Sequence, residues 1–144
     1  MRNEDLVGTW RERGREIILA DGTVKVDVPR ASQIMYMADG YMSVVNAPKG
    51  RKHVKESVER MDLDATTAEE RAEAAVGVVA YAGQFEVVGD EVRHILFTAI
   101  NPNRVGDVQR RHVTLKGDDL TLTAPADAKG NHFRIHWRRA SKPA

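Results

Sequence analysis

Residues 34–45 read IMYMADGYMSVV, and this stretch decides the fold class. Two apolar runs flank Asp39-Gly40, a dipeptide that is typical of two-residue type I′ hairpin turns. With such a turn, Tyr36 faces Ser43 across the hairpin. This register predicts two faces, one of Met35, Met37, Met42 and Val44 and the other of Ile34, Tyr36, Ser43 and Val45. Neither face is strongly polar, so we expect both to be at least partly covered.

Turn signals recur along the rest of the chain and separate short runs that are rich in Val, Ile, Thr and Phe. Short strands at such regular spacing favour a sandwich or a barrel. The runs that we predict as later strands are Gln84–Val88, Val92–Ala99, Val108–Leu115, Leu120–Thr123 and Phe133–Arg138.

One segment differs, because residues 66–76 are rich in Ala and Glu. Thr66 with Glu69, and Thr67 with Glu70, each fit a capping box at a helix start. We expect one helix, from about residue 67 to about residue 80, with an alanine-lined face packed against the sheet. The plan of four strands, one helix and five strands predicts an all-β fold, an antiparallel up-and-down barrel with one α-helix.

Length and composition limit the classes of function that the sequence supports. A length of 144 residues predicts a single domain spanning 1–144. With 22 basic and 21 acidic side chains, the net charge of +1 argues against a nucleic-acid partner. The absence of cysteine excludes disulfides and thiol nucleophiles. We find no apolar run of membrane-spanning length and no signal-peptide pattern at the start, so we expect a cytoplasmic protein that does not enter a membrane.

Five segments in order resemble the bacterial lipocalin-like domain family, a set of small calycin-type β-barrels. They are Leu6–Trp10, Asp39–Val44, Ala80–Val87, Asn101–Arg111 and Trp137–Ala140. The resemblance implies a lipocalin-like barrel with an internal cavity. It does not imply one activity, because related barrels host both binding and catalysis. Arg104 departs from the pattern, since an aromatic residue is common there, and the change falls at the expected cavity mouth.

The opening strand suggests how one barrel end is closed. Gly8 lets the backbone approach closely, and Trp10 is large enough to plug the end of a barrel. A guanidinium of the last strand, from Arg138 or Arg139, is positioned to stack on the Trp10 ring.

The candidate site follows from the alternation along two strands. His94 shares a face with Val92 and Leu96, and the charged neighbour Arg93 marks the opposite face as the outer one. Gln109 and Arg111 share a face with apolar residues, and a buried guanidinium needs an anion or several acceptors. A structural histidine and a polar pair at the rim are equally consistent with the pattern. The predicted ligand-binding residues are His94, Gln109 and Arg111 for a polar end, and Tyr36, Tyr81 and Phe85 for an apolar body.

The sequence gives little support for a metal site, a phosphate-binding site or a catalytic nucleophile. His132 and His136 lie on one predicted strand, about 13 Å apart, so they cannot share a metal ion. We find no metal-ligand motif, no phosphate-binding loop and no nucleophile elbow, so we expect neither a metal nor a cofactor. The basic stretch of residues 49–55 is expected to be a solvated loop near the barrel mouth.

Three functions stay open, and the sequence does not decide whether the protein is an enzyme. The first is binding of a small hydrophobic or amphipathic ligand in the cavity. The alternative is an isomerase or cyclase, free of metal and redox cofactor, that acts on a small hydrophobic substrate such as a polyketide-like molecule. It would use His94 or a tyrosine as acid–base and Arg111 to stabilise negative charge. The third is a packed barrel that serves as an interaction domain, and a homodimer is left open.

Overall fold

Nine strands and two α-helices make up the computed structural model, which describes residues 1–55, 61 and 65–140. The helices are α1 (Asn3–Leu6) and α2 (Ala68–Ala75), and a 3-10 turn spans Pro102–Arg104. The strands are β1 (Gly8–Ile18), β2 (Val24–Asp27), β3 (Ala31–Tyr36), β4 (Tyr41–Ala47), β5 (Val79–Val88), β6 (Glu91–Ala99), β7 (Val108–Lys116), β8 (Asp119–Thr123) and β9 (His132–Arg139).

The strands form one antiparallel sheet that closes on itself. From β3 to β9 each strand pairs with its neighbours in sequence, and β1 pairs with both β3 and β9. Eight strands therefore make a closed barrel, and β2 is an extra strand beside the second half of β1. The predicted antiparallel up-and-down barrel is confirmed, with four strands before α2 and five after it. No helix in the described part of the chain is long and apolar enough to cross a membrane.

Trp10 closes the core, as the sequence predicts. Its side chain is fully buried, and its indole N–H donates to the Leu6 carbonyl oxygen at 2.9 Å. The Arg139 guanidinium lies 4.2 Å from the Trp10 ring centroid and also donates to the Val7 carbonyl oxygen at 2.6 Å. Arg139 rather than Arg138 therefore makes the cation–π contact. It also ties β9 to the segment between α1 and β1.

Gly8 is required at this junction for two reasons. Its φ is +139°, a backbone conformation that other residues rarely adopt. A Cβ atom on Gly8 would lie only 2.7 Å from Nη1 of Arg139. The small residue therefore makes room for the guanidinium that covers Trp10.

The β3–β4 hairpin is shifted by one residue from the predicted register. Tyr36 pairs with Met42, not with Ser43. The loop holds three residues instead of two, because the Gly40 N–H donates to the Met37 carbonyl oxygen and Gly40 has a φ of +90°. The predicted faces were therefore wrong, because a shift of one residue moves the β4 residues to the opposite face relative to β3. The interior face consists of Ile34, Tyr36, Met42 and Val44.

Helix α2 is shorter and more exposed than we predicted. The capping box is confirmed at its start, where Thr67 and Glu70 exchange hydrogen bonds of 3.1 Å. The helix ends at Ala75 instead of near residue 80, because Gly77 takes a φ of +75° and Val79 joins β5. None of its residues is buried, so the expected alanine-lined contact with the sheet is not formed.

The basic segment before α2 also makes contacts that we did not expect. The Arg51 guanidinium donates to the Ala74 carbonyl oxygen at 2.8 Å, and the Lys55 N–H donates to a carboxylate oxygen of Glu70 at 2.5 Å. The described part of this loop is therefore held against the helix.

Replacing Trp10 with alanine should lower the free energy of unfolding by about 3–5 kcal/mol, because the change opens a large cavity in the core. Urea denaturation measures the loss. The matched control is Phe97→Ala, which removes an aromatic ring that is 60% exposed and should cost less than about 1 kcal/mol. A loss below about 1 kcal/mol for Trp10→Ala would contradict its role in the core.

Replacement by alanine should destabilise the protein at one glycine within a strand and have little effect at another. A Cβ on Gly83 would lie 1.9 Å from the Ile95 carbonyl oxygen, at an irregularity in the β5–β6 pairing, whereas a Cβ on Gly14 meets nothing within 4 Å. We expect Gly83→Ala to cost at least about 2 kcal/mol and Gly14→Ala to change stability by less than about 1 kcal/mol. Equal thermal midpoints for the two variants would show that the strands do not approach so closely at Gly83.

Candidate functional site

A cavity of about 580 Å³ lies inside the barrel. Its apolar wall includes Ile34, Val44, Leu96, Leu122, Ile135 and Trp137. Its polar wall includes Tyr81, His94, Gln109, Asn46 and the four arginines Arg15, Arg30, Arg104 and Arg111. No Asp or Glu is among the described residues that line the cavity. The cavity wall is therefore apolar over one part, and its polar part is strongly basic.

The β6–β7 pairing brings the predicted polar residues together. His94 lies opposite Gln109, and Val92 lies opposite Arg111. His94 is 1% exposed and Gln109 is 9% exposed, so both side chains point to the interior, as the strand alternation predicts. The register between His94 and Arg111, which the sequence left open, is thus fixed.

The six predicted ligand-binding residues fall into two groups. Tyr81, His94, Gln109 and Arg111 line the cavity. Tyr36 and Phe85 do not line it and pack together in the core, with ring centroids 4.8 Å apart. Their predicted contact with the apolar body of a ligand stays a prediction. The Tyr36 hydroxyl contacts His94 instead.

His94 is held between two tyrosines. The Tyr36 hydroxyl lies 2.8 Å from Nε2 of His94, and the Tyr81 hydroxyl lies 2.9 Å from Nδ1. Burial, and next the nearby charge of Arg111, lower the pKa of His94 to about 3. The ring is therefore neutral, with one nitrogen that donates and one that accepts. One tyrosine hydroxyl therefore donates a hydrogen bond to the ring, and the other accepts one from the ring and keeps its own hydrogen free for another partner.

The two tyrosines differ in what they face. Burial raises the pKa of both hydroxyls, and the positive charge of Arg111 opposes the rise in each. Both therefore stay protonated near neutral pH. Tyr36 is enclosed by the core, whereas Tyr81 borders the cavity, so Tyr81 is the member of this trio that can offer a hydroxyl to a bound molecule.

The Gln109 side chain accepts hydrogen bonds from two arginines. Its side-chain oxygen accepts from Nη2 of Arg104 at 3.3 Å and from Nη2 of Arg111 at 3.4 Å. Arg104 thus reaches the cavity from the segment between β6 and β7. Two guanidinium groups meet on one neutral acceptor as a result.

The sequence analysis missed Arg15. A register shift between Glu12 and Gly14 in the β1–β9 pairing places Arg15 inside, where it is 7% exposed and lines the cavity. Its guanidinium pairs with the fully buried carboxylate of Glu12, which also accepts from the Arg30 backbone N–H. The available signal was Gly14, since a glycine inside a strand often marks a bulge.

Asn46 was missed as well. It lies on β4 and is 8% exposed, and its side-chain oxygen is buried without a hydrogen-bond partner in the described structure. A buried, unpaired amide oxygen costs free energy unless a donor reaches it. Because Asn46 lines the cavity, a molecule inside could supply that donor.

The two histidines of β9 make local contacts. His136 bonds to the Glu16 carboxylate, and His132 lies 3.1 Å from the Ala124 carbonyl oxygen. No group of three or more His, Asp or Glu in the described residues could hold a metal ion.

The chain is similar over nearly its whole length to known proteins. A family model described as lipocalin-like domain matches residues 7–140. Among solved structures, a lipocalin-like protein from Bacteroides uniformis shares 19% identity over 94% of this chain and 99% of its own, with a TM-score of 0.47. An uncharacterized protein from Bacteroides eggerthii shares 13% identity over 94% and 99%, also with a TM-score of 0.47. No curated protein matches the chain.

The buried histidine should make stability depend on pH. The unfolded chain binds a proton at His94 below about pH 6.5, whereas the folded protein does not until about pH 3. Between these values the unfolded state holds more protons, so the stability present above pH 6.5 is lost as the pH falls, by up to about 1.4 kcal/mol per pH unit. We expect His94→Gln to lose less unfolding free energy than the wild type between about pH 7 and about pH 4.

Urea denaturation across this pH range measures the difference. The control is His112→Gln, because His112 is exposed and lies beside Asp90 on the surface. That variant should follow the wild type. If His94→Gln has the same pH dependence as the wild type, His94 is not held neutral by burial.

Proposed function

Because the chain belongs to the lipocalin-like domain family, we propose that it binds one small hydrophobic or amphipathic molecule inside its barrel. The single observation that carries the proposal is the cavity of about 580 Å³. Small-molecule sites span roughly 300–1,000 Å³, and an eight-stranded barrel has room for about one small ligand. A barrel packed solid by its own side chains, the third function that the sequence left open, fits this cavity poorly.

The composition of the wall supports the proposal. Most ligand pockets combine a largely apolar wall with a few polar groups that fix orientation. Here Leu96, Leu122 and Ile135 supply apolar surface, and Tyr81 and Gln109 supply polar atoms. Polar groups inside a barrel cost free energy unless water or a ligand satisfies them, so their convergence on one space favours an occupant.

The alternative of an isomerase or cyclase is not favoured. As a base, His94 would need a nitrogen free to take a proton from a substrate, but both ring nitrogens are engaged by tyrosine hydroxyls. Its pKa of about 3 also makes the imidazole a poor base near neutral pH. The trio acts as a fixed hydrogen-bonding group, which suits binding.

Filling the cavity should abolish binding of an apolar probe. Ala99 is half-buried and lines the cavity, so Ala99→Trp places an indole in the space that the ligand would occupy. We expect the wild type to enhance the fluorescence of N-phenylnaphthylamine, a neutral apolar dye. Ala99→Trp should weaken its affinity by roughly tenfold or more.

Thr98→Trp is the matched control, because Thr98 is the next residue of β6, is exposed and does not line the cavity. It should bind the dye as the wild type does. Thermal unfolding of both variants shows whether each is folded. Equal dye binding by folded Ala99→Trp and Thr98→Trp, or no binding by the wild type, would overturn the proposal.

A further inference from the structure

We propose that the ligand is an amphipathic carboxylate, whose anionic end lies against Arg111 and Arg104 while its apolar body fills the rest of the cavity. This inference rests on the proposed function and specifies its ligand class. It follows from the distribution of charge on the cavity wall, from the meeting of two guanidinium groups, and from the hydroxyl beside them.

The cavity wall carries a positive charge that the protein only partly neutralises. Arg15 is paired with the buried carboxylate of Glu12. Arg104 has a partner in Asp107, at 3.4 Å on an exposed edge. Arg111 has no carboxylate within 4.0 Å in the described structure, and it is half-buried at the cavity wall. A cation in that position is stabilised by an anion that enters the cavity.

The geometry brings a second cation to the same point. Arg104 and Arg111 both donate to the Gln109 side-chain oxygen, at 3.3 and 3.4 Å. Two like charges that meet on one neutral atom repel each other. An oxyanion between the two guanidiniums converts that repulsion into two attractions. Gln109 therefore positions the arginines, and the anion completes the arrangement.

The shape of the donors favours a carboxylate. Guanidinium groups are planar and present paired N–H donors that match the two oxygens of a carboxylate. Nη1 of Arg111 donates a hydrogen bond of 2.6 Å to the Arg110 carbonyl oxygen, and this bond restricts the orientation of the guanidinium plane. Donors that are already oriented lose less entropy when a ligand binds.

Tyr81 adds a neutral donor. When Nε2 of His94 accepts from Tyr36, Nδ1 carries the proton and donates to the Tyr81 oxygen, and the Tyr81 hydrogen is free to point to the ligand. An anion selects this arrangement because it attracts the free hydrogen. His94 is thus a positioning residue, and it need not touch the ligand itself.

The apolar remainder of the cavity explains why the anion should carry an apolar body. Val44, Leu122 and Ile135 line the same space as Arg111. A small inorganic anion would leave this apolar surface in contact with water, whereas an attached chain or ring would cover it.

Competition between matched amphiphiles tests the inference. N-phenylnaphthylamine serves as the reporter, and decanoate and decanol, which differ only at the polar end, displace it. We expect decanoate to bind the wild type roughly ten- to a hundredfold more tightly than decanol, the range for hydrogen bonds to a charged group. Arg111→Gln should remove most of this difference while the affinity for decanol stays about the same.

The control variant is Arg110→Gln. Arg110 is the neighbouring residue of β7, is exposed, and carries the same charge, but it does not line the cavity. Its preference for decanoate should equal that of the wild type. If Arg111→Gln does not fold, Arg104→Gln is the second variant, because Arg104 is half-exposed on a loop and its loss should still reduce the preference.

The outcomes separate the inference from the proposed function. If the dye binds and decanoate and decanol displace it equally, the cavity binds ligands but the anion site is wrong. An equal loss of preference in Arg110→Gln and Arg111→Gln would also overturn the inference, because it would show a general charge effect. If the wild type does not bind the dye, the proposed function fails and the inference fails with it.

Discussion

Strand β1 is hydrogen-bonded to three other strands, and the rest of the structure depends on that arrangement. Its first half pairs with β3, its second half pairs with β2, and β9 lies along its opposite edge. The register shift between Glu12 and Gly14 falls where the partner changes. The same irregularity reverses the alternation along β1, so that Trp10 and Arg15 both point inward, one into the core and the other into the cavity wall.

The second constraint is that the barrel interior holds polar side chains, which lose their contact with water. The protein offsets this loss by pairing polar side chains with one another. His94 satisfies both ring nitrogens with tyrosines, and Glu12 neutralises Arg15. Arg111 is not neutralised in this way, since its side chain donates to a backbone carbonyl and to the shared Gln109 oxygen. That imbalance of charge on the cavity wall is the basis of the proposed anion site.

The sequence predicted the barrel because alternation and turn residues are local signals. Alternation also predicted the inward face of β6 and β7 correctly, since Arg93 marked the outer side. It failed at residues 36–42, where a three-residue loop replaced the expected two-residue turn and moved the β4 residues to the other face. It missed Arg15 because a bulge adds one residue and reverses the alternation. It also extended α2 too far, since only pairing with β4 shows that Val79 belongs to a strand.

The trio of Tyr36, His94 and Tyr81 has a consequence for selectivity. A neutral imidazole donates from only one of its two nitrogens, so the chain of hydrogen bonds has a direction, and the two directions correspond to the two tautomers of His94. In one direction Tyr81 presents a hydrogen to the cavity, and in the other it presents a lone pair. Because the two tautomers share the same heavy-atom positions, the cavity wall can match either an acceptor or a donor on a bound molecule.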